Sequence, residues 1–173
     1  HIADRLYSQR LISIDANEVS AHEYWVTALL HDIGKLILGF FYWEHFERLA
    51  NLSAEANISF RDAEQRLGDV VVHEQLGQLL LMRAALNEDL VRCVGTHHQP
   101  GSVPSTLMAL VHFSDNLCKD LGMGTLAAER GDYDASVLRV LGLSAERVVE
   151  IRERLGEQTV QEVMDIVERC TSS

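Results

Sequence analysis

The sequence predicts an all-α protein, a bundle of short helices, and three observations carry that expectation. Only two prolines interrupt 173 residues, so the backbone donor a helix needs is rarely missing. Hydrophobic residues make up 47% of the chain, enough to bury a core in what is most simply one domain, residues 1–173. Polar residues with capping chemistry stand directly ahead of helix-forming stretches, at Ser20, Ser59 and Asn87.

Ala3, Leu6 and Leu11 outline a first helix face behind His1, and Asp15-Ala16-Asn17 reads as a loop. Ser20 with Glu23 three residues on has capping-box form, and one helix is expected from about Ala21 to about Phe40. Gly34 and Gly39 lower its propensity by roughly 1 kcal/mol each, so Gly34 implies close approach of another segment or a ligand. His22 precedes His31 by nine positions, half a turn out of phase, and reads as a surface residue. Phe40-Phe41-Tyr42-Trp43 reads as a set of core or interface anchors. A short helix follows from Trp43 to about Leu52, with His45 facing outward.

Residues from Ser59 to about Leu86 are expected to be helical. Glu64 and His73, nine apart, would face opposite ways on one unbroken helix, so either the helix breaks near Gly68 or Glu64 is not a ligand. Asn87 caps a helix from Glu88 to about His98, stopped by Gln99-Pro100-Gly101. Ser102-Val103-Pro104 opens the next, to about Leu121. Residues 134–141, 144–155 and 159–170 give short amphipathic helices that read as packing or a partner surface.

A formal net charge of −11 and an isoelectric point near 5.1 argue against non-specific binding to nucleic acid or an anionic membrane. Cys93, Cys118 and Cys170 are scattered singly, without zinc-site or disulfide spacing, which suits a reduced, cytoplasmic protein. No apolar run approaches the roughly 20 residues of a membrane span, and there is no internal repeat or low-complexity tract.

The chemistry concentrates at Leu29-Leu30-His31-Asp32-Ile33-Gly34-Lys35-Leu36. On a helix His31 and Asp32 project about 100° apart, and Lys35 returns to their side one turn later. Charged groups among leucines and isoleucines are costly unless paired or metal-bound. Alone, the stretch fits a buried histidine beside an Asp32–Lys35 pair. Further along come His73 on a face with Leu76, Gly77 and Leu80, then His97-His98 at a helix end, then Asp115 among Leu107, Leu110, Val111 and Leu117. Imidazoles and carboxylates without thiolate suit divalent iron, manganese, nickel, zinc or magnesium. The set exceeds one closed site and suits two ions bridged by Asp32. His112, one turn before Asp115, is either a supporting partner or a polar residue on the helix flank.

His31-Asp32-Ile33-Gly34-Lys35 resembles the signature of the HD superfamily of metal-dependent phosphohydrolases. Glu64-x3-Gly68-x4-His73-x3-Gly77, His97-His98-x-Pro100, and Asp115 followed by Gly122 resemble its HDOD branch, the HD-related output domain of bacterial signalling proteins. The resemblance covers residues 1–124 and leaves 125–173 as a C-terminal helical extension. It implies an HD-type helical bundle with His31, Asp32, His73, His97, His98 and Asp115 as metal ligands and Asp32 and Lys35 as the catalytic pair of an active member. It also implies a metal-binding histidine about thirty residues before the HD pair. His1 fits that distance, and equally fits a free terminal residue.

Two departures qualify the resemblance. The cyclic-dinucleotide phosphodiesterases of the superfamily carry Gly-Tyr-Pro after their histidine pair, whereas this chain reads Gln99-Pro100-Gly101-Ser102. HDOD domains also carry a helical half upstream, so the sequence is expected to be a fragment. Three functions remain open: a signalling output domain, for example of a response regulator, acting on a protein partner; a metal-dependent phosphohydrolase of a nucleotide or other phosphoester; and a metal-free helical scaffold.

Overall fold

A computed structural model describes residues 2–12, 14, 19–68, 71–126 and 129–171. Ten helices and no strand occur among them: α1 Ile2–Ser8, α2 Ala21–Leu30, α3 Ile33–Phe41, α4 Trp43–Ala56, α5 Phe60–Leu67, α6 His73–Arg83, α7 Glu88–Thr96, α8 Thr106–Asp120, α9 Ala135–Val140 and α10 Ala145–Thr171. The all-α expectation holds. His1 and Asp15-Ala16-Asn17 lie outside the described residues.

Helix α8 is the axis of the fold. Nearly every residue on it is buried, and α1, α2, α7 and α9 pack around it. Leu6, Tyr24, Leu110, Phe113, Leu117, Val137, Ile151 and Leu155 form the main core. A second cluster, Leu38, Leu49, Phe60 and Ala63, ties α3 to α4 and α5, and a third joins α6 and α7 through Leu81, Leu90, Val91 and Val94. Each cluster is the apolar stripe of short helices that have no other way to hide it.

The helix predicted over 21–40 is two helices. Its capping box is present, with Ser20 Oγ accepting from the Glu23 N–H and Glu23 accepting in return. The helix stops at Leu30, and Asp32 leaves the helical conformation at φ −103°, ψ 15° before α3 begins. The physical reason lies in α3, whose first turn is pressed against the start of α6. A Cβ on Gly34 would lie 1.9 Å from the His73 carbonyl oxygen. On the opposing side, a Cβ on Gly77 would meet Val94 at 2.9 Å and Ile33 at 3.2 Å. Two glycines thus let α3, α6 and α7 interlock, and Gly34 has the close approach its position implied.

The predicted helix from 59 to 86 also divides. Ser59 closes a capping box with Asp62, and Gly68 ends α5 in the left-handed region at φ 66°, which an L side chain rarely adopts. Helix α7 stops at Thr96, so His97 and His98 lie just beyond it. Helix α8 opens at a Ser105 cap rather than at 102–104, and Gly156 leaves the helical conformation at φ −53°, ψ −113°, so 145–171 divides there into the two helices expected. His45 is half-buried, not outward. Of the aromatic run, Phe40 and Phe41 are 78% and 77% exposed, which rules out the core role and leaves an anchor face toward solvent. No helix among the described residues is long and apolar enough to cross a membrane.

Cys93 is buried against Met108, and burial pushes its thiol up to about 12, whereas Cys170 is exposed. The thiolate is the reactive form. Iodoacetamide near neutral pH is therefore expected to label Cys170 in the native protein and Cys93 only after denaturation, as read by peptide mass mapping. Native labelling of Cys93 would mean the core opens there.

Candidate metal centre

Four chain segments bring the candidate ligands together. His31 and Asp32 occupy the corner between α2 and α3, His73 is the first residue of α6, His97 and His98 follow the end of α7, and Asp115 sits within α8. All but Asp115 are at helix ends, where the chain turns and side chains can converge from different directions.

The distances are short. His73 Nε2 and His97 Nε2 lie 3.4 and 3.5 Å from Asp32 Oδ1, and His31 Nε2 lies 3.5 Å from Asp32 Oδ2 and 3.6 Å from Asp115 Oδ1. Asp32, His73, His97 and His98 form one group whose ligand atoms lie within 4.8 Å of one another, and His31, His97 and Asp115 form a second, overlapping one. All six of these predicted ligands are therefore brought together. His1 is outside the described residues.

Hydrogen bonds behind the rings set their tautomers. Nδ1 of His31 is 2.8 Å from the Ala28 carbonyl, that of His97 is 2.9 Å from the Val94 carbonyl, and that of His73 is 2.7 Å from Glu64 Oε2. Nδ1 must carry the hydrogen in each case, so Nε2 presents its lone pair to the centre, the arrangement expected of metal-binding histidines. Of the six buried side-chain atoms without a hydrogen-bond partner among the described residues, five are here: Nε2 of His31, His73, His97 and His98, and Oδ1 of Asp32. Lone pairs facing a carboxylate oxygen at such distances repel unless a proton or cation lies between them. The residues present therefore fit divalent metal.

Before an ion binds, the carboxylates draw protons to two of the rings: against burial, Asp32 and Asp115 raise His31, and Asp32 and Glu64 raise His73, so metal would displace those protons. Burial alone would raise the Asp32 carboxyl, but His31 and Lys35 outweigh it and hold the group well below the ordinary carboxylate range. Asp115 is likewise lowered, burial being overcome by the bond to His31 and the charge of Lys119 at 2.6 Å. Burial, reinforced by the neighbouring His97, pushes His98 down and keeps it neutral. Anionic carboxylates and a neutral His98 are the states a divalent ion requires.

Lys35 is buried beside Asp32, its Nζ 2.8 Å from Oδ2 and 3.3 Å from Thr125 Oγ1. Burial alone would lower the amine, but Asp32 dominates and keeps it charged. A groove of about 490 Å³ opens from Asp32, Lys35 and Thr125 between walls of Leu29, Ile33, Leu36, Phe40, Trp43 and Phe46. On the other side, a cavity of about 190 Å³ reaches His31, Asp32 and Asp115 beside Ile2 and Ala3 of α1.

Glu64 resolves the alternative left by its spacing to His73. The helix breaks, and Glu64 supports rather than faces the centre, its Oε1 accepting the His73 backbone N–H at 2.7 Å. His112 is buried rather than on a flank, donating from Nδ1 to the His97 carbonyl at 2.7 Å. Sequence reasoning gave no role to Glu74, which accepts from the His98 N–H and pairs with Arg61, and missed Lys119, whose spacing of four from Asp115 is a signal the sequence carries. It also missed Thr125 and buried Glu129, which reach the site from a segment read as lacking chemistry. No local pattern marks them.

Comparisons with known proteins bear on the family and the fold. The sequence model of the HDOD domain matches residues 6–100, a span holding every candidate ligand except His1 and Asp115. A search of curated proteins gave no match. The crystal structure of an HDOD domain protein of unknown function from Geobacter sulfurreducens superposes with a TM-score of 0.72 at 25% identity, over 96% of this chain and 59% of that one. The chain thus spans about three fifths of that protein's length. With more than half of its residues matched by the family's model, the chain belongs to the HDOD domain family.

Proposed function

We propose that the protein is a metal-holding signalling output module, placed in the cytoplasm and coupled to a protein partner, for example as the output part of a response regulator. Residues 1–173 act as one unit in this reading. The observation that carries it is the convergence of five unpartnered buried atoms from His31, Asp32, His73, His97 and His98. With Asp115 they would hold one or two divalent ions, Asp32 lying between the two groups. The exposed Phe41 and Tyr42, outside the groove lining, supply an apolar face for a partner.

Elemental analysis of untagged protein purified without chelator tests this reading. Metal is expected at one or two ions per chain, and Asp32→Ala is expected to abolish it while the helical circular dichroism is retained. Unchanged metal in that variant would place the site elsewhere.

A second reading, a phosphohydrolase, is favoured by Lys35. Bound ions would supply Lewis acidity toward a phosphoester. Asp32 would help hold them, and the Lys35 ammonium, charged and at the end of the groove, would hold a phosphoryl oxygen. Phosphate release from nucleotide and phosphodiester substrates, assayed on the same metal-loaded preparation, separates the two. The acidic surface and the lack of Gly-Tyr-Pro after His97-His98 favour the output module.

A further inference from the structure

The groove beside the centre is polar at one end only. Asp32, Lys35 and Thr125 close it, and Leu36, Phe40 and Trp43 are among the apolar walls that lead away from them. The Lys35 ammonium has three donors, and its bonds to Asp32 and Thr125 use two, which leaves one for an anion. Farther out, the walls offer a single side-chain donor, the Trp43 indole N–H. A nucleobase entering there could stack on Phe40 or Trp43 but would find at most one side-chain donor for the several hydrogen bonds to water it gives up. An alkyl chain gives up none, and its volume suits a groove of about 490 Å³. The net charge of −11 opposes an anionic bilayer and a phosphate alike, and the single Lys35 ammonium can offset it for one headgroup but not for a bilayer, which points to a dissolved ligand.

We propose that this groove binds a soluble single-chain alkyl phosphate, its phosphate toward Lys35 and its tail along Leu36, Phe40 and Trp43. The site adds a small-molecule input to the proposed output module and rests on that reading only through the ions that would lie behind Asp32.

Gly39 provides a variant that should fill the groove without breaking the helix. It lines the groove, and a Cβ there meets nothing nearer than a Phe46 ring carbon at 4.0 Å. Butyl, hexyl and octyl phosphate, below micellar concentrations, are titrated against the full chain. Emission of Trp43 in a Trp25→Phe background reports binding, and metal content is measured on every sample. Affinity is expected to rise roughly fourfold per methylene, with inorganic phosphate and AMP at least about 100-fold weaker than octyl phosphate. Octyltrimethylammonium, with the opposite head charge, is expected not to bind. Gly39→Leu is expected to lose at least tenfold in affinity for octyl phosphate with an undiminished melting temperature, and Phe40→Ser to weaken it with unchanged circular dichroism.

A flat dependence on tail length, AMP binding as well as octyl phosphate, or wild-type affinity in Gly39→Leu would overturn the proposal. So would a dimer in solution that Phe40→Ser dissolves, because a second copy would then own the groove. Metal-loaded protein that ignores octyl phosphate sinks the groove assignment and leaves the metal reading standing. Metal-free protein that binds it with this tail dependence does the reverse.

Discussion

Gly34→Ala is expected to force α3 away from α6 and to remove both stability and metal. The added Cβ would lie 1.9 Å from the His73 carbonyl oxygen and 2.7 Å from its carbon, so the obstacle is backbone and no rotamer change relieves it. Alanine gains about 1 kcal/mol in helix propensity, but overpacking costs typically 1–3 kcal/mol, and against a backbone carbonyl this close about 4 kcal/mol is expected. A net loss of about 3 kcal/mol follows, a large share of the total stability of a domain. For a chain of this length it corresponds to a fall in melting temperature of roughly 10 °C. His73 is the first residue of α6, so moving the helix start moves Nε2 out of the centre. Calorimetry and elemental analysis on one preparation check both effects. A variant that melts like the parent would show that the two helices do not touch there.

Glu64→Gln is expected to separate the two effects, sparing much of the fold while weakening the metal. Glu64 receives two hydrogens from His73, the backbone N–H and Nδ1–H, each at 2.7 Å. Glutamine keeps one oxygen for the backbone, but its NH2 then meets Nδ1. The ring answers by moving its hydrogen to Nε2, the atom whose lone pair faces Asp32. Losing such a support costs a metal site about 10–100-fold in affinity, measurable by competition with a chelating dye. Glu64→Ala, by contrast, leaves two buried donors unpaired at about 1–3 kcal/mol each and is expected to lower stability as well. Equal metal affinity in the glutamine variant and the parent would mean the tautomer is set by something other than Glu64.

Much of the site is legible in the amino-acid sequence. His31, Asp32, His73, His97, His98 and Asp115 stand out because imidazoles and carboxylates are out of place in apolar helical stretches. The capping signals at Ser20, Ser59 and Asn87 correctly mark three helix starts. The supporting residues are harder to read. Glu64 is visible but its role is not, because a helix of period 3.6 cannot place both it and His73 unless the chain breaks at Gly68. His112 resembles any polar residue near the end of a motif, and its burial against the His97 carbonyl depends on how α7 meets α8. Thr125 and Glu129 come from irregular chain, where no periodicity exists to read.

Helical class, the identity of the six polar groups brought together, and the absence of thiolate among them all follow from the order of residues alone, since composition, capping chemistry and residue type are local properties. Packing between helices was needed to break the 21–40 helix at the motif and to turn the aromatic run toward solvent beside a groove. It also left four imidazole Nε2 atoms and a carboxylate oxygen facing one another. Those outcomes follow from helix crossings that Gly34 and Gly77 permit, and a crossing is a relation between distant segments that no local pattern encodes.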